Sequence, residues 1–191
     1  MGEKPRSHRR RRGDRQWPHL SADDYQAGSF SITICTYRRA RLFGRVVADH
    51  VLLSPMGKEA DRSWREIPRH FPRVILDSFV IMPDHMHGLL HLGVGPTSRS
   101  IVGTTHASSL REEGMARARP RGPTPGSLAA VVGSFKSAVS KRIHDRFPGS
   151  PRQVWQPGYY DHVIRDEDEL FRLREYVSTN PLRWALRYDD G

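Results

Sequence analysis

Val74-Ile75-Leu76-Asp77-Ser78-Phe79-Val80-Ile81-Met82-Pro83-Asp84-His85-Met86-His87-Gly88-Leu89-Leu90-His91-Leu92 reads as a β-hairpin. Val74 to Met82 is rich in β-branched and aromatic residues and forms one long strand. Pro83-Asp84 supplies a tight turn, and His85 to Leu92 returns as the partner strand. Alternate residues of a strand share a face, so His85 and His87 point the same way, about 7 Å apart at their Cα atoms. Leu89 and His91 continue that face, whereas Met86 turns to the opposite one. His91 is read as an edge residue.

Working outward, Phe30, Ile32 and Ile34 alternate with Ser31, Thr33 and Cys35, the pattern of a half-buried strand. His50 to Leu53 is a short strand. Ser54-Pro55 then has the form of an N-cap followed by proline at the first helical position. Met56, Ala60, Trp64 and Ile67 fall on one helical stripe, which Pro68 is expected to end. Leu128, Val131, Val132, Phe135, Val139 and Ile143 recur at helical spacing, with Lys136, Ser137, Ser140, Lys141 and His144 on the other side. Tyr159 to Ile164 alternates as a last strand. A final helix starts at Asp166, where Asp166 and Glu169 have capping-box spacing, and is expected to stop at Asn180-Pro181. The order β, β, α, β, β, α, β, α predicts an α+β fold, an antiparallel sheet with helices packed mainly on one face.

The chain has 191 residues, enough for one domain with a core of its own. Residues 1–15, with the run Arg9-Arg10-Arg11-Arg12, read as a disordered basic arm, and 16–191 as one domain. Within it, about 94–127 lacks hydrophobic period and reads as a flexible insertion. Lys and Arg number 31 against 21 Asp and Glu, a net charge of +10, and all but four of the basic residues are arginine. That excess fits a polyanionic partner, since the guanidinium fork can bond two phosphate oxygens at once. Much of it, +5 in residues 1–15 and +3 in 94–127, falls in the irregular segments, where it also serves solubility. No apolar run approaches the roughly 20 residues of a membrane helix, and Met1 to Arg15 has no signal-peptide core. The single Cys35 excludes an internal disulfide and a cysteine zinc cage.

Two constellations could carry chemistry. His85 and His87 can share one divalent metal, although a His-x-His also arises by coincidence among ten histidines. On the last helix Leu170, Leu173 and Val177 form the core stripe, and Tyr176 and Asn180 are adjacent on one flank. A tyrosine hydroxyl can attack phosphorus and an amide oxygen can complete a metal site. Taken without further context, the same two residues read as packing at the core edge and capping the helix end. Tyr37, Tyr159 and Tyr160 read as structural, with Tyr160 also able to stack on a base; Tyr25 and Tyr188 lack a partner at metal-binding spacing.

Met82-Pro83-Asp84-His85-Met86-His87-Gly88 resembles the His-hydrophobic-His (HUH) motif of the IS200-like tyrosine transposases. Three further segments resemble the REP-associated branch of that family: Ser31 to Tyr37 with Leu42-Phe43-Gly44, Val154-Trp155-Gln156 to Asp166, and Arg174-Glu175-Tyr176 to Asn180-Pro181. The resemblance spans about 25 to 188 without the insertion, and four motifs in the family's order make it specific. It implies a ferredoxin- or RRM-like core and a single-strand DNA endonuclease and strand transferase, acting on hairpin-containing DNA through a 5′-phosphotyrosine intermediate. His85, His87 and Asn180 would bind Mg²⁺ or Mn²⁺, and Tyr176 would be the nucleophile. Asparagine at position 180 is the choice of the REP-associated branch. Lys136, Ser140, Lys141, Trp155, Gln156 and the arm Arg9, Arg10, Arg11 and Arg12 are candidate DNA contacts. The resemblance further implies a bacterial cytoplasmic protein on the nucleoid, a monomer or homodimer, without membrane partners. A non-catalytic binder of structured DNA derived from a transposase is the alternative. A phosphohydrolase of small substrates is disfavoured, because the histidine pair has few carboxylate companions.

Overall fold

Phe30, Ile32 and Ile34 have no exposed surface, and their strand, β1 (Gly28–Cys35), lies inside a four-stranded sheet. The computed structural model describes residues 27–93 and 123–188. The arm with Arg9 to Arg12, Tyr25, most of the expected insertion and the side chain of Tyr188 lie outside the described residues. A short hairpin, β2 (Gly44–Val47) and β3 (His50–Leu53), stands apart from the sheet. Helices α1 (Pro55–Arg65) and α2 (Ile67–His70) follow, then β4 (Val74–Ile81) and β5 (His85–Leu92). The chain closes with α3 (Leu128–Arg146), β6 (Tyr160–Ile164) and α4 (Glu167–Tyr188).

The sheet order is β4-β5-β1-β6, and every neighbouring pair is antiparallel. With the β2–β3 hairpin and α4 set aside, the connectivity is the β-α-β-β-α-β of a ferredoxin-like core. Helices α1, α2 and α3 cover one face, as the α+β reading expected. Ala60, Trp64, Val131, Phe135, Val139 and Ile143 are buried there against Phe30, Ile32, Ile34, Met86 and Leu90. The other face belongs to α4, whose Leu170 and Val177 bury against Leu89 and Ile164. Because β5 is flanked by β4 and β1, His91 is no edge residue. Its ring is held by Ser29 and Asp77.

Helix starts follow their local signals. Ser54 caps α1 by accepting from the Gly57 amide at 3.0 Å, with Pro55 in the first turn. Ser127 caps α3 in the same way through Ala130. Asp166 accepts from the Glu169 amide, while the Glu169 carboxylate reaches back to the Arg165 amide, one residue earlier than a standard capping box.

The two prolines behave differently from expectation. Pro68 does not end the stripe but lies in the first turn of α2, where a missing N–H costs nothing. Pro181 does not stop the last helix either: α4 runs through it to Tyr188. An interior proline costs roughly 3 kcal/mol. The continuation is held by tertiary contacts, with Trp184 stacked on His85 and Arg41 over the Trp184 ring.

Gly88 is a packing glycine. A Cβ there would lie 2.5 Å from the ring of Trp64, whose indole also meets Phe135 edge-on. Gly88→Ala is expected to destabilise the fold by about 1–3 kcal/mol, since a rigid core ring must shift. The urea unfolding midpoint measures this, and an unchanged midpoint contradicts the packing described.

Candidate active site

The strand pairing that buries one face of β5 prepares the other for chemistry. Thr33 pairs directly with His87 across β1 and β5, and Cys35 with His85. Facing residues of an antiparallel pair project to one side, so Thr33 reaches the His87 ring: its Oγ1 lies 2.8 Å from Nδ1. His85 Nδ1 donates to Asp84 Oδ1 at 2.5 Å, since an ionised carboxylate can only accept. With both Nδ1 atoms engaged, the two Nε2 atoms face each other at 3.1 Å. Both histidines are buried.

Burial, followed by the charges of His85 and Arg39, pushes the His87 pKa down to about 3. The ring is therefore neutral at physiological pH. One Nε2 can then donate to the other, or a cation can replace that proton, the Thr33 hydroxyl accepting from Nδ1–H in the second case. Two nitrogen ligands of one cation, each about 2.1 Å from it, stand roughly 3 Å apart when they subtend near a right angle. The observed separation fits that requirement. Carboxylate and hydroxyl partners at Nδ1 fix the ring orientation of an imidazole whose other nitrogen binds a metal. No group of three His, Cys, Asp or Glu suited to a metal exists among the described residues. Among the described residues, the amide of Asn180 is a further side chain at the cleft able to offer an oxygen ligand.

Helix α4 crosses this face. Tyr176 packs edge-on against His87 with ring centroids 5.2 Å apart, and its side of the helix is open, leaving the residue 38% exposed. Asn180, one turn on, is buried at the wall of the same cleft. The cleft has a volume of about 410 Å³ and is lined by Thr33, Asp84, His85, His87, Tyr176 and Asn180 together with Arg39, Arg183, Trp184 and Arg187. Arg39 is delivered by a tight turn in which it and Arg38 both have left-handed backbone, at φ 56° and 52°. Such conformations are costly for side-chain-bearing residues and persist where the surroundings enforce them. Here Thr36 does so, its Oγ1 lying 2.8 Å from the carbonyls of both Ala40 and Asp84. Arg39 reaches Asp84 at 3.4 Å.

A second tie holds α4 in place. At a bulge in β4 between Leu76 and Phe79, Asp77 turns toward α4 and accepts from Arg174 through Nε and Nη2, the closest contact at 2.6 Å. Asp77 also meets His91 at 3.2 Å. Arg174 first, with His91 and the Ser78 amide, holds the Asp77 carboxyl well below its ordinary pKa against the opposing effect of burial.

The structure thus brings His85, His87, Tyr176 and Asn180 together. Of the other candidates, those among the described residues do not line the cleft. Lys136 gives its ammonium to the carbonyls of Gln156 and Gly158 at 2.7 and 2.9 Å, and burial lowers its pKa. Lys141 pairs with Asp145 and Ser140 is half-buried, both on α3, across the sheet from the histidines. Trp155 is a core residue, 5% exposed, packed on Phe43 and Phe135 with its indole N–H donated to the Lys136 carbonyl. Gln156 bonds through its backbone to Cys35. Sequence reasoning missed Thr33, which strand alternation places on the histidine face. It also missed Arg183, Trp184 and Arg187, hidden behind the helix stop expected at Pro181.

No family model matches the chain. Over 157 residues it is 32% identical to an uncharacterized protein of Haemophilus influenzae, covering 82% of each. Its fold is that of a REP-associated tyrosine transposase solved bound to a REP hairpin: the TM-score is 0.54 at 14% identity, over 96% of this chain and 74% of that one.

The site's ionisable groups predict its acid response. Unfolded, His87 takes up a proton below its ordinary 6.5, whereas folded it does so only near 3. The unfolded state therefore binds more protons in that window, and stability falls with falling pH. Asp77 acts in the same direction: its contribution is complete above the ordinary 3.8 and is lost as pH falls toward its depressed folded value. Urea unfolding of metal-free protein across pH is expected to show both. His87→Gln should flatten the limb between pH 6.5 and 3, and Asp77→Asn the part below 3.8.

Proposed function

The chain belongs to the same family as the Haemophilus influenzae protein, and from its fold and cleft we propose that it is a metal-dependent transposase that cleaves and rejoins single-stranded, hairpin-containing DNA. The observation that carries this reading is the meeting of two opposed imidazole Nε2 atoms with a tyrosine ring from the last helix, 5.2 Å from His87. The arginine-lined walls suit a phosphodiester. The hairpin DNA held by the structural neighbour supports a DNA substrate.

In this reading Tyr176 is the nucleophile. Its oxygen bonds to the scissile phosphorus as the bond to the 3′ oxygen breaks. The phenol proton leaves through the open side of the cleft, and the departing oxygen is protonated to a free 3′-OH. The DNA 5′ end remains on Tyr176 as a phosphodiester, so a second 3′-OH can reverse the step and join a new end without ATP. A divalent cation, Mg²⁺ or Mn²⁺, held by His85, His87 and Asn180, would neutralise charge on the non-bridging oxygens and fix the phosphate for in-line attack. Asp84 and Thr33 orient the two imidazoles. In this reading Tyr176 acts beside the histidines of its own chain.

Two tests follow. A labelled single-stranded oligonucleotide containing a hairpin and incubated with Mn²⁺ is expected to yield a covalent adduct on denaturing gels. Tyr176→Phe is expected to abolish it. Retained adduct in that variant removes Tyr176 as nucleophile, and binding without cleavage by the unmodified protein favours a non-catalytic DNA binder. Independently, Asp84→Ala is expected to weaken Mn²⁺ binding about 10–100-fold by calorimetry. Unchanged affinity would remove the orienting role given to Asp84.

A further inference from the structure

Helix α4 does not end with the asparagine at the cleft. Beyond Pro181 it carries Arg183, Trp184 and Arg187 along the cleft wall. Positions 176, 180, 183 and 187 are separated by four, three and four residues, so they form one stripe on one face of the helix. Arg183 lies over the Tyr176 ring, its guanidinium carbon 5.4 Å from the centroid. Among the described residues neither Arg183 nor Arg187 enters an ion pair, whereas Arg39 is paired with Asp84. Among the described residues Asp84, itself bonded to His85, is the one carboxylate lining the cleft. Two exposed guanidinium groups therefore face a cleft in which no carboxylate of the described residues is left to neutralise them.

We infer that Arg183 and Arg187 bind the backbone phosphates of the DNA strand flanking the scissile phosphate, making the end of α4 the strand-positioning wall of the site. The inference rests on the proposed DNA-cleaving function and assigns where the strand lies. One helical turn separates the two arginines, about 6 Å along the axis. That rise suits neighbouring phosphates of an extended strand. Trp184 fixes the register of the wall, because its indole stacks on His85 at 5.7 Å and an interplanar angle of 34°. A continuous helix past Pro181 has a reason in this arrangement. Ending at Asn180 would keep the nucleophile and its neighbour but lose the cations that align the substrate.

Cations near a helix C-terminus also favour the helix dipole, and the test separates the two roles. Binding of a fluorescein-labelled single-stranded oligonucleotide of mixed sequence is followed by anisotropy across a salt series, using full-length protein with Tyr176→Phe to prevent cleavage. Adding Arg183→Gln or Arg187→Gln is expected to weaken binding about three- to tenfold and lower the salt slope by about 0.7 each, one phosphate contact on single-stranded DNA. Arg183→Lys should keep the slope, and Lys58→Ala, on α1 across the sheet, should leave both quantities unchanged. Thermal melts report any loss of helix stability separately. Slopes and affinities equal to the parent in both Gln variants would overturn the inference, whether or not the wild type forms an adduct. Conversely, reduced slopes with no adduct from the wild type would uphold phosphate binding by the end of α4 and remove the enzymatic reading.

Discussion

Everything at the site depends on the pairing register of β5 between β1 and β4. Side chains of a strand alternate with period two, so a slip of one residue would exchange the faces. In the observed register Met86 and Leu90 enter the main core while His85 and His87 face α4. Gly88 reinforces that choice, because its missing side chain is the space occupied by the Trp64 ring. The glycine beside the histidines is therefore tied to the helices on the far side of the sheet. Fold and site share one constraint.

Two buried imidazoles facing each other are a poor structural element by themselves. Burial disfavours the charged form of His87, and the two facing Nε2 atoms can share only one hydrogen bond. The neighbours remove that objection in a specific way. Asp84 compels one tautomer of His85, whereas the Thr33 hydroxyl, able to donate or accept, leaves His87 free to take either. The pair is thus held rigidly in orientation yet can release the proton between its nitrogens. That freedom is what the proposed cation site would use.

Helix α4 meets the sheet through its apolar contacts and through the tie from Arg174 to Asp77. The tie lies two residues from Tyr176 and, by way of His91 and Ser29, reaches strands β5 and β1. It fixes the rotation of the helix, which apolar contact alone leaves loosely defined. The bulge in β4 is the local irregularity that makes Asp77 available. Downstream, the stacking of Trp184 on His85 offsets the roughly 3 kcal/mol cost of an interior proline. The helix therefore touches the histidine pair through both Tyr176 and Trp184, on either side of Pro181.

The sequence by itself determined what short-range rules can determine. Alternation in Phe30 to Cys35 and His85 to Leu92 marked the strands and the shared face of the histidines. Spacing in Leu128 to Ile143 marked a helix, and Ser54-Pro55 its predecessor's start. Four-residue spacing linked Tyr176 to Asn180. Only the tertiary structure decided how far α4 runs, because local propensity sees the cost of Pro181 and cannot see the distant His85 and Arg41 that hold Trp184. For the same reason it alone committed Lys136 and Trp155 to internal contacts, although both looked available for DNA. Strand order, the bulge at Asp77 and the turn that presents Arg39 likewise depend on partners distant in the chain, and periodicity carries no record of partners.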